Sequence, residues 1–181
     1  MDAAVLLASL QESVPGAAIE AAPTTDTHTT VLVDRDQLVA VARVLRERPD
    51  LAFDFLAELT VVDYWPREPR FELVYILVSI AHRSRLRMKV RLTAEDARVG
   101  TVSGIWPAAN WLEREAWDLF GVTFDGHPDP RRLLMPEDWE GYPLRKDYPV
   151  QIKMAARTTE PLQVTEDQFR ANVEKDRLSR R

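Results

Sequence analysis

The pattern of hydrophobic and polar positions predicts two helices in the first third of the chain. Leu6 and Leu10 lie four residues apart in an Ala/Leu-rich stretch, which indicates a short helix over residues 2–12. Asp34 or Asp36 can cap a second helix, because a carboxylate there accepts hydrogen bonds from the free backbone N–H groups. The apolar residues of this second helix follow the spacing i, i+3, i+4 and i+7 and are Leu38, Val41, Ala42 and Leu45.

A third helix is predicted from Pro107 to about Phe120. Proline is tolerated in the first turn of a helix, and Gly121 is a suitable residue to end it. Trp111 and Trp117 fall about 100° or more from the apolar stripe, which indicates that this helix is covered on more than one side. The predicted stripe consists of Ala108, Leu112, Ala116 and Leu119.

Further segments are typical of β-strands. Residues 17–22 and 29–33 have the composition of short strands, joined by a hairpin loop at 23–27 where Pro, Thr and Asp favour a turn. Residues 71–80 carry β-branched and large apolar side chains on both faces, as in an interior strand of a sheet. Residues 51–64 are ambiguous between a helical turn and a strand.

Residues 83–92 show the clearest alternation with a period of two, and a shift of one residue would bury the charges. The side chains on one face are Arg83, Arg85, Arg87, Lys89 and Arg91, and those on the other are Ser84, Leu86, Met88, Val90 and Leu92. Because like charges repel, we expect acidic groups opposite the basic face, on a neighbouring strand or on another chain. The face has no interleaved aromatic residues and the chain has a net charge of −5, so no nucleic-acid partner is predicted.

The composition excludes several classes of site. The chain contains no cysteine, which excludes a disulfide framework, a thiolate zinc site, a cysteine nucleophile and an iron–sulfur cluster ligated by its own cysteines. Its six glycines form no phosphate-binding motif. Its longest apolar runs, such as residues 73–78, have six residues against the roughly 20 of a membrane-spanning helix. The first ten residues contain no Lys or Arg, and we expect a mature, soluble protein of a bacterial or archaeal cytoplasm.

Residues 125–150, which we name the ribbon, interrupt these patterns. They hold five of the twelve prolines and show no helical or strand period, yet their large apolar residues are untypical of disorder. The ribbon can pack on its own domain or lie as an extended arm on a partner. Ordering a residue costs about 1–2 kcal/mol and burying a large apolar side chain returns about 1.5–3 kcal/mol. Local burial of the apolar residues of the ribbon therefore does not clearly offset the cost of ordering it, which favours the arm that lies on a partner. The predicted organisation is an α+β domain (1–124), a partner-binding ribbon (125–150) and a polar tail (151–181) with a weak helix over 166–178.

Acidic residues and one histidine crowd within 17 residues of the chain. They are Glu113, Glu115, Asp118, Asp125, His127 and Asp129. One interpretation is a metal-dependent hydrolase that uses Glu113, Asp118 and His127. The helical wheel spreads the three helix carboxylates over about 200°, so they do not converge. The favoured interpretation is therefore surface charges paired with arginines, such as Arg114 with Asp118, and a structural hydrogen bond for His127.

Three consecutive motifs resemble a known family. They are WLEREAWDLFGV at 111–122, FDGHPDPRRLL at 124–134 and EGYPLRKDYP at 140–149. Together they closely resemble the C subunit, or thirty-kilodalton subunit, of respiratory complex I, the proton-pumping NADH:quinone oxidoreductase. The resemblance extends over about residues 5–150. Pro130 and Tyr142 depart from the family pattern, which usually has an aliphatic residue and a histidine at these positions.

The resemblance implies an α+β fold with a mixed β-sheet flanked by helices and an extended irregular C-terminal arm. It implies a non-catalytic structural and assembly subunit of the peripheral arm of NDH-1, a complex that passes electrons from NADH through FMN and iron–sulfur centres to quinone. The family's chain itself binds no flavin, nicotinamide, cluster or metal. Its partners are the hydrogenase-like D subunit and the cluster-bearing B and I subunits. It reaches the membrane only through the complex, as a peripheral protein on the cytoplasmic side of the cell inner membrane.

The predicted partner interface combines aromatic anchors, charged residues and turn residues that set the path of the ribbon. The predicted interface residues are Trp111, Glu113, Arg114, Glu115, Trp117, Asp118, Gly126, His127, Pro128, Arg131, Arg132, Trp139, Pro143, Leu144, Arg145, Lys146 and Asp147. The three tryptophans are the candidate anchors, since each can bury ~150–250 Å². Four basic residues are expected to pair with acidic groups of a partner or of this chain. They are Arg131, Arg132, Arg145 and Lys146.

Two alternatives stay open at this point. The chain can be the equivalent subunit of a related membrane-bound hydrogenase or deazaflavin-linked dehydrogenase, which neighbouring subunits would distinguish. More remotely, it can be the stand-alone metal-dependent hydrolase described above, which a stoichiometric bound divalent ion would favour.

Overall fold

The chain is described by a computed structural model whose described residues are 3–24, 26, 28–149, 165 and 167–171. It divides into two compact units, Met1–Tyr148 and Pro149–Arg181. The elements of the first unit are α1 (Ala3–Ser13), β1 (Ile19–Ala21), β2 (Thr29–Val33), a 3₁₀ turn (Arg35–Gln37), α2 (Leu38–Glu47), β3 (Phe55–Asp63), β4 (Phe71–Ser79), β5 (Ser84–Leu92), β6 (Arg98–Gly100), α3 (Ala109–Phe120) and β7 (Thr123–Asp125).

Five strands form a mixed sheet in the order β1-β2-β5-β4-β3. The pair β2–β5 is parallel, and the other three pairs are antiparallel. This arrangement confirms the predicted α+β class with a mixed sheet. Strands β6 and β7 pair in parallel as a separate small sheet. No period could predict them, because each has only three residues.

The ambiguous segment at 51–64 contains strand β3. Its alternation is broken because a β-bulge shifts the register between Leu56 and Glu58. Beyond the bulge the alternation is regular, and Leu59, Val61 and Asp63 are buried. The bulge is therefore the reason that a period of two was not visible over the whole segment.

Helices α1 and α2 were predicted correctly and bury the expected residues. Leu6 and Leu10 of α1 and the four apolar residues of α2 are at most 1% exposed. They share one core with the inward-facing residues of the sheet, such as Tyr75 of β4. The carboxylate of Asp34 accepts a hydrogen bond from the N–H of Asp36 at 2.9 Å, which caps the 3₁₀ turn that leads into α2.

Helix α3 ends at Gly121 as predicted, and Ala116 and Leu119 of its predicted stripe are buried, but the first part of the stripe differs. Ala109, Glu113 and Ala116 are buried, whereas Ala108 is exposed. The prediction was wrong for Ala108 and missed Glu113, because a hydrophobic pattern assigns a glutamate to the surface and this glutamate lies inside. Its hydrogen-bond partners are described with the site.

The basic residues of β5 meet acidic groups, as their alternation predicted. Arg87 binds Asp26 at 2.6 Å, and Lys89 binds Glu72 on the neighbouring strand β4 at 2.8 Å. Arg91 also reaches Glu72, at 3.4 Å. The expectation of opposing acidic groups on a neighbouring strand is therefore confirmed.

In the second unit, residues 167–171 are helical. The N–H of Gln168 donates to the hydroxyl of Thr165 at 3.4 Å. The rest of the helix predicted over 166–178 lies outside the described residues. None of the described helices combines the length and the hydropathy that crossing a lipid bilayer demands.

Candidate partner-binding site

The ribbon is held on its own domain by polar anchors. Residues 125–148 belong to the same compact unit as the sheet. Buried carboxylates and arginines supply the attachment that apolar burial alone does not provide. The first of the two interpretations, a segment packed on its own domain, therefore describes this chain, and a partner on the outer side of the ribbon stays a prediction.

The first anchor is the carboxylate of Asp118, near the end of α3. It is fully buried and accepts hydrogen bonds from the backbone N–H groups of Leu133, Leu134 and Met135, at 3.0, 2.7 and 2.9 Å. Arg132 Nη1 also donates to it, at 2.6 Å. Burial alone would raise the pKa of Asp118, but the N–H of Met135 and the Arg132 guanidinium outweigh burial and lower this pKa below its usual value. The ionised carboxylate thus fixes the backbone of the ribbon.

Two arginines extend this anchor. Arg132 Nη2 donates to the carbonyl oxygen of Trp139 at 2.7 Å. Arg114 donates to the carbonyl oxygens of Arg131 and Arg132, both at 3.0 Å. The predicted pair of Arg114 with Asp118 is wrong, because Arg132 and the ribbon amides occupy that carboxylate while Arg114 binds ribbon carbonyls. The backbone of the ribbon is therefore gripped through both its N–H and its C=O groups.

The second anchor is an ion-pair network at the far end of the ribbon. Arg70 is 6% exposed, and its guanidinium donates to both carboxylate oxygens of Asp63, at 3.0 and 2.9 Å. The same guanidinium donates to both oxygens of Asp147, at 2.9 and 2.6 Å. The N–H of Lys146 also donates to Asp63, at 2.9 Å. Burial raises the pKa of Asp63, yet Arg70 and the backbone donors outweigh burial and lower this pKa to about 2.

Gly121 lets the ribbon cross closely over the end of α3. Its φ of +74° lies in the left-handed region, and a Cβ there would overlap the Tyr142 ring and the Arg145 guanidinium. Arg145 Nε donates to the carbonyl oxygen of Phe120. Its guanidinium lies 4.5 Å from the ring centroid of Tyr142 and 5.2 Å from that of Phe71. Tyr142, which departs from the family pattern, therefore stacks on an arginine of the ribbon.

A third polar cluster lies at the start of the ribbon. Glu113 is 0% exposed and accepts a hydrogen bond from the N–H of Val102 at 2.7 Å. His127 Nε2 lies 3.8 Å from the carboxyl group of Glu113 and 3.1 Å from the carbonyl oxygen of Asn110. His127 Nδ1 accepts the N–H of Asp129 at 3.0 Å, so in the neutral imidazole Nε2 carries the proton and donates to Asn110. This hydrogen bond is the structural role predicted for His127.

The substitution Glu113→Gln is expected to remove a pH dependence of stability. Burial raises the pKa of Glu113 to about 7, although the Thr101 hydroxyl and the Val102 N–H oppose this. Its ordinary value is 4.5, so the unfolded chain loses this proton first and stability falls as the pH rises from 4.5 through about 7. The loss is on the order of 2–3 kcal/mol between about pH 5 and about pH 8.

Urea titrations at the two pH values measure this loss. The natural chain should show it, and Glu113→Gln should not. The exposed neighbour Glu115 supplies the matched control, since Glu115→Gln should keep the loss of the natural chain. Equal pH dependence in Glu113→Gln and in the natural chain would contradict the assignment.

The structure separates the predicted interface residues by exposure. Glu113 and Asp118 are 0% exposed, so the prediction that they contact a partner is corrected, and both instead bind loops of their own chain. Trp117 and Trp139 are half-buried, whereas Trp111 is 58% exposed. The predicted residues that are exposed are Trp111, Glu115, Gly126, Pro128, Arg131, Leu144, Lys146 and Asp147.

Three residues of the site were missed by the sequence analysis. Leu134 is 62% exposed on the ribbon, and Asp63 and Arg70 build the second anchor. The signal for the anchor was a pair of opposite charges seven residues apart, on either side of the loop that joins β3 to β4. Charges near the ends of a hairpin are usually at the surface, so this spacing by itself did not indicate a buried pair.

The three residues of the hydrolase hypothesis do not form one site. Glu113 lies beside His127, whereas Asp118 is bound by ribbon amides and Arg132. Among the described residues, no group of three or more His, Cys, Asp or Glu side chains has the arrangement needed to hold a metal ion. The geometry therefore gives this hypothesis no support.

The fold and the anchors define an α+β domain with a C-terminal ribbon clamped to its surface by buried ion pairs. Residues 31–153 match the family described as respiratory-chain NADH dehydrogenase, 30 Kd subunit. The chain belongs to this family, which confirms the resemblance carried by the three motifs. It is thus a member of the thirty-kilodalton subunits of complex I, the NADH:quinone oxidoreductase of the respiratory chain.

Individual relatives agree with this assignment. The C subunit of the NADH-quinone oxidoreductase of Roseiflexus sp. (strain RS-1) is 46% identical over 158 residues, which cover 87% of this chain and 90% of that protein. The C subunit of the NADH-quinone oxidoreductase of Geotalea uraniireducens (strain Rf4) is 48% identical over 122 residues, which cover 67% of this chain and 73% of that protein.

Two solved structures share the fold. Nqo5, in a structure of its trypsin-resistant fragment (1-134), has a TM-score of 0.57 and 33% identity, over 71% of this chain and 99% of that chain. A chain of the membrane-bound sulfane sulfur reductase, an archaeal respiratory membrane complex, has a TM-score of 0.68 and 28% identity, over 90% of this chain and 94% of that chain.

Proposed function

We propose that the chain is a non-catalytic structural and assembly subunit in the peripheral arm of a proton-translocating NADH:quinone oxidoreductase. The main support for this proposal is that charged residues of the motifs bind groups of their own chain. They are Asp118, Arg132 and Asp147. Groups held in this way shape a surface and are not free to react. The surface that they shape exposes large apolar side chains, which suit burial against another protein.

Electron transfer belongs to neighbouring subunits in this proposal. NADH oxidation and quinone reduction use FMN and iron–sulfur clusters elsewhere in the complex. This chain has no cysteine to ligate a cluster and no glycine-rich loop to bind a nucleotide phosphate. Its own contribution is a rigid docking surface, because a ribbon ordered before association loses less entropy on binding.

The proposed partners are the hydrogenase-like D subunit and the cluster-bearing B and I subunits. The exposed apolar residues that contact them are Trp111 on α3 and Leu134 and Leu144 on the ribbon, which are 58%, 62% and 53% exposed. The chain reaches the cell inner membrane through these partners, as a peripheral protein on its cytoplasmic side.

Charged substitutions at two of these residues test the proposal. Leu134→Asp and Leu144→Asp are each expected to lower the amount of co-purified oxidoreductase subunits by about tenfold or more, since an aliphatic anchor contributes about 1.5–3 kcal/mol when buried. The measurement is affinity purification of the tagged full-length chain from detergent-solubilised membranes. Quantitative mass spectrometry of the partners gives the ratio.

Val5→Asp is the matched control, because Val5 on α1 is 62% exposed and lies outside the ribbon. It should leave the co-purified subunits unchanged. Thermal unfolding of each variant shows that the fold is kept. The proposal fails if the two ribbon variants assemble as well as the control.

A second candidate is the equivalent subunit of a related membrane-bound complex, such as a hydrogenase or a deazaflavin-linked dehydrogenase. The similarity to the chain of the archaeal sulfane sulfur reductase complex favours it, with a TM-score of 0.68 over 90% of this chain. The same purification distinguishes the two. A deazaflavin-binding subunit, or hydrogen evolution by the purified complex, supports the second candidate. A flavin subunit that oxidises NADH supports the first.

A further inference from the structure

The second face of the five-stranded sheet departs from the alternation that a sheet facing water usually shows. The helices α1, α2 and α3 bury their apolar residues in one core with the inward residues of the strands. On β5 the outward residues are basic, as water favours. On β3 and β4 several outward residues are apolar instead, namely Phe55, Val62, Val74, Ile76 and Val78. Phe55 is 52% exposed and Val62 is 37% exposed.

The strand register joins these apolar residues to the basic ones. Phe55 of β3 lies opposite Val78 of β4, which lies opposite Arg85 of β5. The next rows are Glu58–Ile76–Arg87 and Thr60–Val74–Lys89. Because directly opposed residues point to the same side of a sheet, these rows form one surface, which we name the open-face patch. It is apolar over β3 and β4 and basic along β5.

The charge of the open-face patch contrasts with that of the whole chain. The chain has a net charge of −5, yet the outward residues of β5 are all cationic from Arg85 to Arg91. Arg91 keeps 53% of its side chain exposed although it pairs with Glu72. Arg85 is exposed as well, and Glu58 is the exposed acidic residue of these rows. Arg87 and Lys89 are paired with Asp26 and Glu72, so Arg85 and the exposed part of Arg91 are the cationic groups that the patch offers to a partner.

We propose that the open-face patch binds an acidic, amphipathic surface of a second protein, apart from the contact made by the ribbon. Apolar side chains of this protein cover Phe55 and Val62, and its carboxylates pair with Arg85 and Arg91. Arginine suits this pairing because its guanidinium donates two parallel hydrogen bonds to a carboxylate. That the second protein is a subunit of the same complex rests on the proposed function, whereas the chemistry of the patch does not.

Photo-crosslinking in the assembled complex tests this inference. A photoreactive amino acid replaces Thr60, which is exposed in the middle of the patch, in the tagged full-length chain. The crosslinked peptide is identified by mass spectrometry after purification from solubilised membranes. We expect a segment with net negative charge and several apolar residues. Arg85→Glu should lower the crosslink yield about tenfold, because it opposes like charges across the contact.

Arg43→Glu is the matched control, since Arg43 is an exposed arginine on α2, the helix whose apolar side joins the core. It should leave the yield unchanged. Phe55→Ser supplies a second variant that tests the apolar part of the patch, and it should also lower the yield. A yield that neither Arg85→Glu nor Phe55→Ser changes overturns the inference.

The identity of the crosslinked product separates the remaining outcomes. A product with an anionic lipid, with a second copy of this chain, with residues 150–181 of the same chain or with a basic segment overturns the inference, as does the absence of any product. If oxidoreductase subunits co-purify but no acidic segment crosslinks, the inference fails and the proposed function stands. If an acidic segment crosslinks in an Arg85-dependent way but belongs to no oxidoreductase complex, the inference stands and the proposed function fails.

Discussion

Replacing Arg70 by alanine is expected to lower the free energy of unfolding by about 3–5 kcal/mol. The substitution leaves the carboxylate of Asp63, a residue only 4% exposed, without its two-pronged partner. It also removes the ion pair that holds Asp147 and the end of the ribbon. Urea denaturation of the purified chain near neutral pH measures the loss.

A double mutant and the pH dependence of stability show how much of the stabilisation by this anchor comes from its charges. Adding Asp63→Asn to Arg70→Ala removes the stranded charge and should recover about 1–2 kcal/mol. The pKa of Asp63 is lowered from 3.8 to about 2, so the stabilisation by this pair is present above 3.8 and is lost as the pH falls through about 2.

The pair of Arg131 with Asp129 supplies the surface control for this anchor. The side chain of Arg131 is 75% exposed, and Arg131→Ala should cost less than about 1 kcal/mol. If Arg70→Ala costs no more than this control, the network around Arg70 does not hold the ribbon.

Replacing Asp118 by asparagine is expected to release the middle of the ribbon. The amide keeps the shape but loses the charge that binds three backbone N–H groups and Arg132, and we expect a loss of about 2–3 kcal/mol. Local opening then exposes the peptide bonds after Arg131 and Arg132, at which trypsin cuts. A loss of about 2 kcal/mol makes limited tryptic cleavage there about 30-fold faster.

The exposed residue Asp125, at the start of the ribbon, supplies the control for this prediction. It is paired with Arg98 at 3.4 Å with about half of its side chain in water, so Asp125→Asn should leave the cleavage rate nearly unchanged. Mass spectrometry of the fragments identifies the cut. A cleavage rate for Asp118→Asn equal to that for Asp125→Asn would show that the buried carboxylate is not the clamp.

Several helices and strands of this fold could be predicted because their apolar side chains recur with the period of a helix or a strand and face the core, while their polar side chains face water. Strand β5 and helix α2 have one polar side and one apolar side, and both were found where expected. Strand β3 was hidden by a bulge, and β6 and β7 are too short to show any period. The sequence thus identified the elements whose burial follows hydrophobicity.

The interior of the site could not be predicted, because burial there does not follow hydrophobicity. Glu113 and Asp118 are polar residues that are buried because backbone N–H groups of distant segments bind their carboxyl groups. A spacing rule contains no information about such partners, since they lie 11 to 17 residues away in loops without a period. The motifs located the ribbon, but only the structure shows that Arg132, Arg145 and Asp147 bind groups of its own domain.

The central claim is that this polypeptide works by holding redox subunits together. It is tested by purifying the tagged natural chain from detergent-solubilised membranes of its own organism. We expect it to co-elute with hydrogenase-like and cluster-bearing subunits and with quinone reduction that depends on NADH. After separation from these partners, the chain should show neither flavin nor cluster absorbance and no turnover. A tagged chain that elutes alone, or a separated chain that reduces quinone with NADH, would contradict the proposed role.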